Sequence, residues 1–256
     1  MIRLADLNID WTPEDSEFVS AFCVQDETDA DCVMSLSQEN QILECHGIQF
    51  IERPWEHLLS RGKEFLCANK DWTKATVYCK QYTDPIYTLP LAAICSRFTA
   101  FDTVLLHGSF VDYCGNGIVF TGYSGIGKTT QAQLWQQYFG AEIVNGDKVF
   151  IRNFEKETFA YGLPWKGSSP YCLNKKVPLK AIIALRQSQE NSIKRLNSVE
   201  CLEYFMPHIF LPHWDKDCLS RALDIFDEIS KRVPIWLLEC RLDEDAVKMT
   251  RDTVLR

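Results

Sequence analysis

The stretch Gly122-Tyr123-Ser124-Gly125-Ile126-Gly127-Lys128-Thr129 decides the fold. It matches the pattern G-x-x-x-x-G-K-[ST], the Walker A or P-loop signature. Each residue type has a chemical reason to stand where it does. Glycines let the backbone curl so that successive N–H groups point at one phosphate. The helix expected after the loop brings its positive N-terminal end to the same place. Lys128 reaches the β and γ oxygens as a point charge, and Thr129 offers a hydroxyl to Mg²⁺. The nucleotide-binding set read from this stretch is Gly122, Tyr123, Ser124, Gly125, Ile126, Gly127, Lys128, Thr129 and the adjoining Thr130.

The flanks fit the loop. Residues 117–121, Gly-Ile-Val-Phe-Thr, predict a strand leading into it. Residues 128–139 predict a helix, with Ala132, Trp135 and Phe139 on one apolar face and Gly140 as its C′ residue. Residues 141–144 predict the next strand, which runs into Asn145-Gly146-Asp147-Lys148. A strand–helix–strand unit brings that strand end back to the loop, where a second metal-holding carboxylate is needed. Asp147 is the candidate; the competing reading is a plain Asn-Gly-Asp turn. Upstream, residues 103–107 predict a buried strand ending in His107, continued by 108–113 and closed by the turn Cys114-Gly115-Asn116-Gly117. A lone histidine at such a place is more often structural than functional.

Further strands are expected at 149–151, 180–185 and 234–238, and helices at 220–231 and 243–254. Strands with interspersed helices define an α/β class. Residues 1–88 differ: short runs broken by polar residues, with strand-like alternation at 3–9, an apolar run at 32–36 and another at 75–80. Thr12-Pro13-Glu14-Asp15 reads as a helix start with Pro at its first position. Residues 91–101 predict a linking helix. The expected division is a mainly β N-terminal subdomain with its linking helix over 1–100, and a P-loop core over 101–256.

Composition narrows the function classes. The chain has 256 residues, 46% hydrophobic and 24% charged, enough for a substantial core. Its net charge of −8 argues against a bulk electrostatic grip on nucleic acid or an anionic membrane. No apolar run reaches the ~18 residues of a membrane span. No basic-then-apolar leader is read at the N-terminus. Eleven cysteines without a C-x-x-C pair fit reduced thiols and a cytoplasmic location better than disulfides or zinc. Cys32, Cys45 and His46 lack metal-ligand spacing, and so do His208, His213 and Asp215.

From His107-Gly108-Ser109 through Gly115-Asn116-Gly117 to Lys128-Thr129, the run resembles the core of the HPr kinase/phosphorylase family. The loop is also similar to that of ATP-dependent phosphoenolpyruvate carboxykinase, which shares the P-loop type. Tyr161-Gly162-Leu163-Pro164-Trp165-Lys166-Gly167-Ser168, Pro178-Leu179-Lys180 and Trp135 resemble the HPr kinase-like proteins found beside peptide-modification genes. The resemblance is strong over roughly 103–151. It implies an α/β P-loop core, largely β with flanking helices. It implies that His107 lies near the phosphate, that Lys128 binds it, and that Thr129 and Asp147 hold Mg²⁺. Three positions depart from the family. Tyr123 replaces a loop Asp, Thr129 replaces a Ser, and Gly146 stands where the family has the first of two aspartates, the one that resembles a general base. The chain is too short for a full carboxykinase, and the HPr enzyme's regulatory glycine-rich loop is not seen, so HPr is not assigned as substrate.

The expectation is therefore an ATP- and Mg²⁺-dependent kinase. His107, Lys128 and Asp147 are its catalytic set, and its acceptor is a hydroxyl of a peptide, a protein serine or a metabolite. The alternative is a catalytically degenerate nucleotide-binding regulatory or partner protein. A nucleotide hydrolase is a third reading, which no catalytic glutamate after Asp147 favours. Homo-oligomer formation stays open. The segment 162–169 reads as a substrate loop beside the γ-phosphate, with Lys166 neutralising charge, or as an ordinary hairpin loop. Lys148 reads as a partner of Asp147, and Arg186 as a phosphate-stabilising arginine or a structural one.

Overall fold

The computed structural model describes residues 1–11, 16–25, 28–37, 42–45, 48–51, 55–62, 64–78 and 88–255. The helix start read at 12–15 and His46 lie outside the described residues. The chain divides into two compact units, Met1–Phe98 and Thr99–Arg256.

Among the described residues, the first unit holds a six-stranded sheet, two α-helices and a separate strand pair. Its elements are β1 (Ile2–Leu4), β2 (Leu7–Trp11), α1 (Ser16–Val19), β3 (Cys32–Ser37), β4 (Ile42–Cys45), β5 (Ile48–Ile51), β6 (His57–Arg61), β7 (Glu64–Ala68), β8 (Lys74–Tyr78) and α2 (Thr88–Phe98). The sheet order is β1-β2-β3-β8-β7-β6, and β4 pairs with β5. The alternation read over 3–9 is not one strand. Ala5 and Asp6 both have positive φ, 52° and 60°, and turn the chain back so that Leu4 faces Leu7. Two consecutive positive-φ residues make the hairpin turn whose twist matches its strands. The linking helix begins three residues before the expected 91 and ends at Phe98; a 3-10 turn, Thr99–Phe101, opens the second unit.

The second unit holds β9 (Thr103–Tyr113), β10 (Asn116–Thr121), α3 (Lys128–Phe139), β11 (Glu142–Asn145), β12 (Lys148–Asn153), β13 (Thr158–Tyr161), β14 (Lys176–Gln187), β15 (Ser192–Arg195), α4 (Ser198–Tyr204), α5 (Lys216–Arg232), β16 (Ile235–Cys240) and α6 (Glu244–Val254). The sheet order is β10-β9-β12-β13-β14-β16-β15, with β11 on β9 and a further pairing of β10 with β14. The long strands β9 and β14 explain this closure. Each changes partner along its length: β9 pairs β12 over 103–107 and β10 over 108–113. Strands β10, β14 and β16 run parallel.

Alternation sorts the core into two layers. Ile118 and Phe120 of β10 join Ala181, Ile183 and Leu185 of β14, packed with Ala132 and Trp135 of α3 and Ala246 and Val247 of α6. Val119 joins Val177, Leu179, Ile182 and Ala184 on the other face, packed with Ala222, Ile225, Phe226 and Ile229 of α5. Helices thus cover both faces, as parallel strands require. Each large side chain removed from water contributes about 1.5–3 kcal/mol. Helix α5 starts at Lys216 rather than 220 because Asp215 caps it, accepting from the N–H groups of Asp217 and Cys218. The molecule is mixed α/β. No helix among the described residues is long and apolar enough to cross a membrane.

Candidate active site

Parallel strands leave their ligand sites at their carboxyl ends, where the following loops gather. Strand β10 ends at Thr121, the loop follows, and α3 begins at Lys128. The turn is built on glycine: Gly122, Gly125 and Gly127 have φ of 145°, 79° and 111°, a region that side chains with a Cβ avoid. Gly127 is also the N-cap of α3 and has no side chain to close the first turn. The helix therefore presents its N-terminal amides to the cleft.

Lys128 is 7% exposed. Its ammonium is satisfied locally, donating to the carbonyls of Gly122 and Tyr123, both at 3.0 Å. Burial lowers its pKa, and the charge of Asp147 acts the other way. Thr129 donates its hydroxyl to the Gly146 carbonyl at 3.0 Å, tying the helix start to the end of β11. Ser109 of β9 donates to the same carbonyl at 3.0 Å.

His107 and Asp147 are joined by strand register. Lys148 lies opposite His107 in the β9–β12 pairing, and Gly108 N–H donates to the Asp147 carbonyl at 2.9 Å. Nε2 of His107 is 3.2 Å from Oδ1 of Asp147. The other carboxylate oxygen, Oδ2, is held by the Lys148 ammonium. Burial alone would raise the Asp147 pKa. The hydrogen bonds and charges of His107 and Lys148 outweigh it and hold the carboxyl at about 2. Asn145 shapes this turn: its Oδ1 accepts from the N–H groups of Asp147 and Lys148, at 2.9 and 3.0 Å, and its Nδ2 donates to the Leu163 carbonyl at 2.7 Å.

One cleft of about 390 Å³ brings these groups together. His107, Lys128, Thr129, Thr130 and Asp147 line it, with Ser124, Gly125 and Gly127 of the loop. Gly122, Tyr123 and Ile126 belong to the loop but not to the lining. The rest of the lining is Gly146 and the segment residues Lys166, Ser168, Ser169 and Pro170. Arg186 is not brought here; it pairs with Glu239 and donates to the Tyr204 hydroxyl.

Two further residues lie beside these groups. His208, 9% exposed, immediately precedes Ile209, whose antiparallel bridge to Leu106 sets it beside His107. Burial, then the charges of His107 and Lys128, lower its pKa to about 4. The exposed ring of Tyr123 stands edge-on to it, centroids 5.2 Å apart. Ser169 is the second. A Cβ built on Gly146 would lie 2.0 Å from its Oγ, so the serine fills the space that any larger residue at 146 would need.

The donor set can be tested for a divalent cation. Among the described residues no three His, Cys, Asp or Glu side chains gather to hold a metal. A hydroxyl and one ionised carboxylate, Thr129 and Asp147, line the same cleft. Hard oxygen ligands of this kind, completed by phosphate oxygens, suit Mg²⁺ rather than a metal needing a full protein cage.

No family model matches the chain, and no curated protein does. Among solved structures it is similar to the Hpr(Ser) kinase/phosphatase from Coxiella burnetii, at 11% identity and a TM-score of 0.37, over 59% of this chain and 88% of that one.

Proposed function

We propose that this chain is an ATP- and Mg²⁺-dependent phosphotransferase that passes the γ-phosphate to a hydroxyl. One observation carries the reading: a glycine turn, an open helix N-terminus, Lys128, Thr129, Asp147 and His107 share a single cleft at the carboxyl end of a parallel strand. Local charge supports it. Lys128 and Lys166 line the cleft against the single carboxylate of Asp147 among the described lining residues, although the chain as a whole carries −8. Binding therefore rests on amide dipoles and a few side chains rather than on a basic surface.

In this reading the loop amides and Lys128 hold the β and γ phosphates, the lysine exchanging its two loop carbonyls for phosphate oxygens. Thr129 and Asp147 hold Mg²⁺, which supplies neutralisation of the transferring group's charge. His107, already bonded to Asp147, orients the acceptor or the γ-phosphate. Catalysis then rests on positioning and electrostatics. Calorimetry with Mg-ATP and ADP release in the presence of hydroxyl acceptors test this. Binding lost in Lys128→Ala and turnover lost in Asp147→Asn are expected. Absence of nucleotide binding overturns it.

One observation favours a second reading, a nucleotide-binding partner protein without transfer. The cleft has no second carboxylate beside Asp147 among its described lining residues, and Ser169 fills that space. Tight Mg-ATP binding with no ADP release and no phosphorylated product would establish it.

A further inference from the structure

Resting on the phosphotransferase reading, we propose that Ser169 is itself a phosphoryl acceptor: the cleft modifies a serine of its own chain.

The placement of the hydroxyl carries the proposal. Ser169 lines the same cleft as Lys128, Thr129 and Asp147. It is packed against Gly146, whose carbonyl receives the Thr129 hydroxyl. The serine side chain thus stands beside the residue pair that would hold the metal. It belongs to residues 166–170 of the lining rather than to the phosphate loop, so its hydroxyl and a phosphate held by that loop would share one cleft.

The segment bearing it is fastened on both sides to the end of β11. Asn145 donates to the Leu163 carbonyl at 2.7 Å, Asn145 and Cys172 form a bridge, and Leu173 N–H donates to the Val144 carbonyl at 2.9 Å. Within it, Ser169 N–H donates to the Lys166 carbonyl at 3.1 Å, and Ser169 Oγ accepts from Tyr171 N–H at 3.2 Å. The hydroxyl is therefore oriented, yet its oxygen keeps a second lone pair for attack. Holding two reacting groups in one cleft replaces a bimolecular encounter by an intramolecular step. Lys166, three residues away in the same segment, offers a cation to the product phosphate.

The step balances. The bond between the terminal phosphorus and the bridging oxygen of ATP breaks, and its electron pair leaves with ADP. A bond forms between that phosphorus and Ser169 Oγ, and the hydroxyl proton passes to water. The products are ADP and a chain bearing phosphoserine at 169.

The test uses the full chain, purified and incubated with Mg-ATP, with calorimetry of nucleotide binding on the same sample. Intact-mass and fragment-mass spectrometry read the modification. One phosphate per chain, mapped to Ser169, is expected. It is absent in Ser169→Ala, absent in Lys128→Ala, and reappears as phosphothreonine in Ser169→Thr. Direct mapping in the unaltered protein keeps the result readable if Ser169→Ala folds poorly. If the protein binds Mg-ATP and releases ADP but Ser169 stays unmodified, the inference fails while the phosphotransferase reading stands. Phosphate mapped to another residue, or incorporated equally by Lys128→Ala, also overturns it. If no nucleotide binds, both fall together.

Discussion

Ser169 and Gly146 share one volume: a Cβ on Gly146 would come within 2.0 Å of Ser169 Oγ and 2.5 Å of its Cβ. The glycine is required by close approach and not by backbone angle, because its φ is not among the positive ones. Gly146→Ala is therefore expected to destabilise the second unit by overpacking, about 1–3 kcal/mol. In a Ser169→Gly background the same change meets open space and costs much less. Urea midpoints of the four proteins form the cycle. An equal cost in both backgrounds would show that the strain lies elsewhere.

The pairing of Asp147 with His107 and Lys148 sets an acid limit on stability. The carboxyl ionises at about 2 in the fold against an ordinary 3.8. A depressed carboxylate pKa contributes stability that is complete above 3.8 and disappears as pH falls toward 2. Asp147→Asn is thus expected to be less stable than the unaltered protein by a constant margin from pH 5 upward, and the margin is expected to shrink below pH 4. Denaturant midpoints measured across that range check it. A margin that does not change with pH would place the effect in packing rather than in charge.

How far the sequence carries toward this site depends on chain distance. The loop, α3 and Asp147 are legible because they are consecutive and governed by local rules: strand, glycine turn, helix, strand. His107 is within reach through the motif it precedes: the β9–β10 hairpin places it one residue before the part of β9 that pairs with the phosphate-loop strand, although its pairing with β12 is long-range. Residues 162–169 read as a candidate substrate loop, but the packing of Ser169 on Gly146 is not legible, nor is the placing of His208. Both arrive through isolated bridges, Asn145 to Cys172 and Leu106 to Ile209, that leave no periodic signal in the chain. Residues 3–9 form two strands rather than one. Ile2 and Leu4 alternate in one phase and Leu7 and Ile9 in the other, and the shift falls at Ala5 and Asp6, where the chain turns. The closure of β10 onto β14 was beyond reach because it depends on long strands changing partners midway.

His208 makes a prediction of the same sign as Asp147, in a window at higher pH. Burial first, then the charges of His107 and Lys128, move its pKa from 6.5 to about 4. The unfolded chain binds this proton below 6.5 while the fold resists it until about 4. Stability therefore falls over that window, with a slope of up to about 1.4 kcal/mol per pH unit from this group. His208→Gln is expected to flatten the pH profile between 6.5 and 4 and to leave the profile above pH 7 unchanged in shape. Its imidazole resonances are expected to stay those of a neutral ring down to pH 5. A ring that titrates near 6.5 would contradict its burial against Tyr123 and β9.

Lys128 separates binding from folding most sharply. Its burial disfavours the charged ammonium, which is offset by two loop carbonyls and by Asp147. On the proposed reading this side chain serves a ligand more than the fold, and residues of that kind commonly trade stability for function. Lys128→Met keeps the methylene stem and removes the charge. The midpoint of denaturation is expected to hold or rise. Mg-ATP affinity is expected to fall about 10- to 100-fold, the loss of a charge-assisted hydrogen bond worth about 1.5–3 kcal/mol. His208, relieved of one neighbouring cation, is expected to titrate at a higher pH in the variant. If Lys128→Met instead unfolds the second unit and nucleotide affinity follows only the folded fraction, the lysine is a structural clamp on Gly122 and Tyr123, and the phosphate-binding role assigned to it is wrong.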